Sequence, residues 1–130
     1  MAENPFGDPD GQESERRSYL ILIAASKDNA ALVQGLLRNL QTRVDAKAAP
    51  LWVDSKGVGI LLSTHLVAWE IWREMFQVDV GGDYGDTRDI LIVEVGQDWA
   101  ARRDAKTEHW LTTHVGTPRP VPYDRQRRRR

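Results

Sequence analysis

The chain has 130 residues, 41% hydrophobic and 28% charged, with a formal net charge of −1 and no cysteine. That is enough for one core of ordinary size, and it excludes disulfides, thiolate catalysis and every cysteine-based metal site. No stretch approaches the ~18 consecutive apolar residues of a membrane helix. Met1 to Arg17 is acidic and polar rather than a secretory signal, so a cytoplasmic location without membrane contact is expected.

The small net charge conceals two charged ends. Residues 1–15 carry Glu3, Asp8, Asp10, Glu13 and Glu15 with no cation, whereas residues 116–130 carry Arg119, Arg125 and Arg127 to Arg130 against Asp124 alone. Blocks of like charge are solvated arms. The expected organisation is a flexible acidic arm over 1–18, one domain over 19–115 and a Pro/Arg-rich basic tail over 116–130.

The chain is organised around Tyr19-Leu20-Ile21-Leu22-Ile23-Ala24-Ala25, an apolar run of strand length with the continuity of a strand buried on both faces. Ser26 can cap a helix after it, because its hydroxyl accepts a backbone N–H of a first turn. Leu32, Val33, Leu36, Leu37 and Leu40 then trace one apolar stripe and predict a helix over about 27–42. Ala49-Pro50 breaks that pattern. Leu51-Trp52-Val53 and Val58 to Leu62, separated by Asp54-Ser55-Lys56-Gly57, predict a hairpin with a four-residue turn.

Thr64 is the expected cap of a second helix, over about 65–77, with Ala68, Trp69, Trp72, Met75 and Phe76 inward and Glu70 and Arg73 paired outside. Asp79 to Arg88, with Gly81, Gly82 and Gly85, predicts a loop. Ile90 to Val95 predicts a last strand. A weaker helix starting at Asp98 or Asp104 reaches Trp110, Leu111 and Val115, Gly116 ends it, and Pro118, Pro120 and Pro122 extend the tail.

The order is strand, helix, strand, strand, helix, strand, with an added helix: an α+β, ferredoxin-like βαββαβ sandwich. Both helices of that layout cover one sheet face. The other face would then leave alternate residues of the first strand, Leu20, Leu22 and Ala24, pointing at water, joined by Leu91 and Val93. A contiguous apolar patch of this kind marks an interface, and the expectation is a homodimer through it. The added helix offers the alternative of covering that face within one chain.

The strand Tyr19–Ala25, the segment Leu51-Trp52-Val53 to Ser63-Thr64, and Ile90-Leu91-Ile92-Val93-Glu94-Val95-Gly96-Gln97-Asp98-Trp99 with Trp110-Leu111 together resemble the SinR-like group of small bacterial proteins. That group is often linked to mobile elements and is related in fold to the small CRISPR-associated endoribonucleases. The resemblance spans about 19–115. It implies a ferredoxin-like fold and, in the nuclease relatives, an acidic metal ligand at the end of the first strand. Here Ala24-Ala25-Ser26 stands at that place, and Asp28 falls in the first turn beyond it, where an acid favours the helix dipole.

The remaining constellations are weak. His109 and His114 are five apart, on different faces of a helix, and with His65 they lack metal-ligand spacing. Ser63-Thr64-His65 has adjacent residues that do not point together and no orienting acid. Gly81-Gly82-Asp83-Tyr84-Gly85 precedes a strand rather than a helix, unlike a phosphate cradle. Asp79, Asp83, Asp86 and Asp89 with Glu94 offer carboxylates to a divalent cation, in a spacing that fits no established loop. Trp69 and Trp72 read as core. Trp52, on an edge hairpin, reads as core before surface, but it is the tryptophan left open to exposure, where it would stack on a base or join a protein interface.

The strongest functional signal is Arg125, Arg127, Arg128, Arg129 and Arg130. Guanidinium groups pair bidentately with phosphate, and a basic tail supplies salt-sensitive affinity for RNA or DNA. The same charge would suit an acidic protein partner. These residues read as a non-catalytic binding module, homodimeric and without a cofactor. The alternatives are a degenerate metal-dependent nuclease using the acidic loop and a small-molecule-binding dimer.

Overall fold

The structure, a computed structural model, describes residues 15–77 and 87–122. The chain divides into two compact units, 1–94 and 95–130. The first unit holds β1 (Arg17–Ala24), a 3-10 turn (Lys27–Asn29), α1 (Ala30–Arg43), β2 (Ala49–Asp54), β3 (Gly57–Thr64), α2 (Ala68–Met75) and β4 (Ile90–Val95). The second holds α3 (Lys106–His114). Among the described residues no helix is long and apolar enough to cross a membrane.

The strands form one sheet in the order β2-β3-β1-β4. β3 runs antiparallel to β1, from Arg17 opposite Thr64 to Ala24 opposite Gly57, and antiparallel to β2. At the far edge the Ala24 N–H donates to the Asp89 carbonyl at 2.9 Å. At the other end of the pair, Tyr19 lies within electrostatic reach of Glu94. As β1 residue numbers fall, β4 numbers rise, so this pair is antiparallel as well. An α+β fold with this strand and helix order is compatible with the ferredoxin-like layout.

Alternation along β1 decides where the core sits. Tyr19, Ile21 and Ile23 are buried with Ile60 and Leu62 of β3, Leu32, Val33, Leu36 and Leu40 of α1, and Ile71 and Met75 of α2. Ile90 and Ile92 pack against this cluster from β4. Two buried polar groups tie the layers together. The Asn39 amide donates to the Met75 carbonyl at the end of α2, 2.6 Å, meeting one of the carbonyls a helix end leaves unpaired. The Tyr19 hydroxyl donates to the Leu66 carbonyl at 2.8 Å. Burial, chiefly, and then the Glu94 charge push the Tyr19 hydroxyl pKa up, against an opposing pull from Arg17.

The local chemistry corrects several expectations. Ser26 does cap a turn, its Oγ accepting the Asp28 N–H at 3.2 Å while Asn29 Oδ1 accepts the Ser26 N–H at 2.7 Å. That turn is 3-10, however, and α1 proper starts at Ala30. Pro50 lies inside β2 rather than before it, tolerated because β2 is an edge. The hairpin turn has two residues, Ser55 and Lys56, not four. Asp54 Oδ1 accepts the Lys56 and Gly57 N–H groups at 2.7 and 3.0 Å, the side-chain turn that suits aspartate.

Thr64 ends β3, and its Oγ1 accepts the Leu66 N–H instead of capping a helix. The first turn of α2 is closed by Glu70, whose Oε1 accepts the Val67 N–H at 2.8 Å. The Glu70 carboxylate is therefore used on the backbone rather than on Arg73. Starting at Ala68, the helix turns Ile71 and Met75 inward and leaves Trp69 77% exposed, so Trp69 is not core. Trp72 and Phe76 are half-buried. The ion pair on this layer joins the two helices, Arg43 Nε to Glu74 at 2.8 Å, worth about 0–1 kcal/mol at an exposed site.

In the second unit α3 begins at Lys106, later than Asp98 or Asp104. Asp104 takes a positive φ of 68°, and its N–H donates to Glu108 Oε1 at 2.7 Å. Gly116, with φ 116°, ends the helix as expected. Its N–H and that of Val115 both reach the Leu111 carbonyl, at 3.0 and 2.8 Å, which satisfies an orphan carbonyl of the last turn. Trp99 Nε1 donates to the Gly116 carbonyl at 3.2 Å. The Arg119 N–H donates to the Gln97 carbonyl at 2.9 Å, which anchors the proline-rich segment at that point.

Candidate interaction surface

The face of the sheet opposite α1 and α2 is built by the other half of each strand. Leu20, Leu22 and Ala24 of β1 alternate with the buried Tyr19, Ile21 and Ile23. Register places them opposite Leu61, Gly59 and Gly57 of β3. Leu22 is 43% exposed, Leu91 50% and Val93 38% on β4, and Trp52 48% on β2. Leu20 and Ala24 are half-buried and Leu61 is buried. Within the first unit, an apolar run on a central strand is covered by helices on one side only.

Trp52 reaches this face because of an irregularity. Pro50 pairs with Ile60 and Trp52 with the next residue, Gly59, leaving Leu51 as the extra residue of a bulge. The indole then lies on Gly59, where a Cβ would stand 2.7 Å from the ring. Gly57 is similarly crowded, its would-be Cβ 3.0 Å from the Ile23 carbonyl. Both residues point to the same face two positions apart, so the sheet lacks side chains there and the floor is notched. The result is a groove of about 730 Å³ lined by Leu20, Leu22, Trp52, Gly59 and Leu91, with Lys56 and Asp89 beside it.

A second cleft, about 420 Å³, lies on the helix side between α1 and the β2 edge, lined by Ala30, Val33, Leu37, Pro50 and Val53.

Among the described residues, no group of three or more His, Asp or Glu is placed to hold a metal ion. Asp79, Asp83 and Asp86 lie outside the described residues; Asp89 and Glu94 are exposed. At the end of β1 the residues are Ala24 and Ala25, and the Asp28 N–H is engaged with Ser26. Ser63 Oγ accepts from Arg16 Nε at 3.2 Å, Thr64 Oγ1 accepts from Leu66, and His65 is exposed, so the three are not aligned as nucleophile and base. The five tail arginines, Arg125 and Arg127–Arg130, lie outside the described residues.

The structure adds aromatic features that spacing alone did not single out. On α2, Trp69 meets Trp72 edge-on at 5.8 Å and Trp72 meets Phe76 at 5.4 Å. On α3, His114 stacks on Trp110 at 3.9 Å and 15°. His114 Nδ1 lies 2.9 Å from the Trp110 carbonyl. A carbonyl only accepts, so Nδ1 carries the proton in this contact. The i, i+4 spacing of Trp110 and His114 was the available signal.

No family model, curated protein or solved structure matches the chain.

Proposed function

We propose that this chain is a non-catalytic binding module that pairs with a second copy through the open sheet face and carries a basic C-terminal segment for nucleic acid. The single observation behind the pairing is the exposure of Leu22, Leu91, Val93 and Trp52 on one sheet face. Covering one large aliphatic side chain is worth roughly 1.5–3 kcal/mol, and a contiguous patch of four or five exceeds the scattered exposure of ordinary surfaces. A twofold axis over a sheet face is self-complementary by construction. The nucleic-acid part rests on the arginines after residue 124. Light scattering after gel filtration tests the pairing: wild type runs at twice the chain mass, and Leu22→Glu with Leu91→Glu runs at the single-chain mass with its helical signal intact. Wild type at the single-chain mass over the accessible concentration range refutes it.

The groove favours one second reading, a small apolar or aromatic ligand held against Trp52 over Gly57 and Gly59. Its volume is within the range of small-molecule sites. Native mass spectrometry of freshly purified protein should then show an adduct that Gly59→Val removes.

A further inference from the structure

The charge of the chain separates along the division between its two units. Residues 95–130 hold nine Lys and Arg against four Asp and Glu, a net +5; residues 1–94 hold nine against fifteen, a net −6. Four of the second unit's five net charges lie at residues 123–130, and residues 95–122 hold Arg102, Arg103, Lys106 and Arg119 against Asp98, Asp104 and Glu108. Arg102, Arg103, Lys106 and Arg119 are all exposed, on backbone whose geometry is fixed. A turn closed by the Ala105 N–H on the Arg102 carbonyl, 3.2 Å, holds Arg102 and Arg103. Asp104 at φ 68° and its bond to Glu108 set the entry to α3.

Lys106, Trp110 and His114 then occupy i, i+4 and i+8 and share one face of α3. Trp110 and His114 are stacked as a pair of near-parallel rings, and the Nδ1 contact orients the imidazole so that Nε2 points away from the Trp110 carbonyl. Arg102, Arg103 and Lys106, interrupted by Asp104, precede the ring pair in the chain, and exposed cations with stacked rings match the two needs of a single strand: phosphates to neutralise, and bases that must stack somewhere once unpaired.

We propose that the Arg102-Arg103 turn and the Lys106–Trp110–His114 face of α3 form a binding site for single-stranded nucleic acid, with phosphates on the cations and a base on the His114–Trp110 stack. It deepens the nucleic-acid reading above and rests on it in part, since the arginines after residue 124 continue the same basic segment beyond Arg119. Exposed guanidinium groups on an ordered turn have little backbone freedom left to lose on binding.

The test uses the full-length chain with Arg125 and Arg127–Arg130 changed to Gln, titrated against fluorescent 12-mers of oligo-dT and oligo-U by anisotropy across a salt series. The tail-neutralised chain is expected to bind both, with a log–log salt slope of about −2 for three phosphate contacts. Arg102→Glu with Arg103→Glu should weaken it at least tenfold, and His114→Ala several-fold, whereas the same charge reversal at Arg73→Glu in the other unit should leave binding unchanged. A tail-neutralised chain that does not bind, or that ignores the Arg102/Arg103 reversal, overturns the site. Equal affinity for poly-glutamate also overturns it, because the ligand would then be any polyanion. If the wild-type chain binds and the tail-neutralised chain does not, the tail reading survives alone; if neither binds, both fail.

Discussion

The two faces of the sheet use the same side chains to opposite ends. Tyr19, Ile21 and Ile23 are buried under α1 and α2, while Leu20, Leu22 and Ala24, one residue out of phase on the same strand, look out on the other side. Composition cannot distinguish the sets. What differs is the opposite surface: large aliphatic side chains from two helices on one face, and on the other a notch at Gly57 and Gly59 flanked by Trp52. Buried surface becomes stability in one case, and in the other it becomes association with whatever closes the face.

The largest test of that contrast is a matched pair on β1. Ile21→Ala should cost about 2–5 kcal/mol in urea unfolding, as the cavity in a packed cluster adds to the lost transfer energy. Leu22→Ala, measured at high dilution, should stay within about 0.5 kcal/mol of wild type, as exposed positions do. Comparable losses at both positions would erase the distinction between the faces.

Next in size is Asn39→Ala, which leaves the buried Met75 carbonyl without its 2.6 Å partner and should cost about 1–3 kcal/mol; the Tm by differential scanning fluorimetry reports it. Gly59→Val drives a side chain into the Trp52 ring, 2.7 Å from the new Cβ. It should cost about 1 kcal/mol, in the range of overpacking at a half-open site, and shift tryptophan emission to the red as the indole lifts off the sheet.

The smallest effect is a pH dependence. The folded Tyr19 hydroxyl has its pKa raised above 10.0, first by burial and then by Glu94. The neutral phenol is thus favoured in the folded state, and its contribution is complete below about pH 10, the unfolded value. It is lost as pH rises through the raised folded value, because the unfolded chain ionises first. Wild type should lose Tm above about pH 10 more steeply than Tyr19→Phe, which gives up the bond to Leu66 at every pH but has no proton to lose. Parallel curves would show that Tyr19 ionises freely.

Much of the fold was legible because strand and helix periods are simple. The β4 boundaries, the α1 stripe, the Ser26 cap, Gly116 as a stop and the alternation that opens one face all derive from the order of apolar and polar residues. The phase of α2 was not legible. Leu66, Val67, Ala68, Trp69, Ile71, Trp72, Met75 and Phe76 are apolar nearly all the way round a helix, so the inward side is set by where the helix starts. That start depends on Glu70 bonding back to Val67, a contact invisible in hydrophobic spacing; with it, Ile71 goes in and Trp69 out. The groove had a quieter signal, Gly57 and Gly59 two apart on one strand, but its wall depends on the bulge at Leu51. A bulge is a backbone event with no residue type of its own.

Association of two copies through the open face is measured most directly by sedimentation equilibrium. Wild-type chain and the Leu22→Glu/Leu91→Glu chain would be run side by side, with circular dichroism to establish that both are folded. A reversible dimer is expected for wild type and a folded monomer for the double substitution. A wild-type monomer at every concentration, or a dimer that survives both glutamates, would contradict pairing through this face.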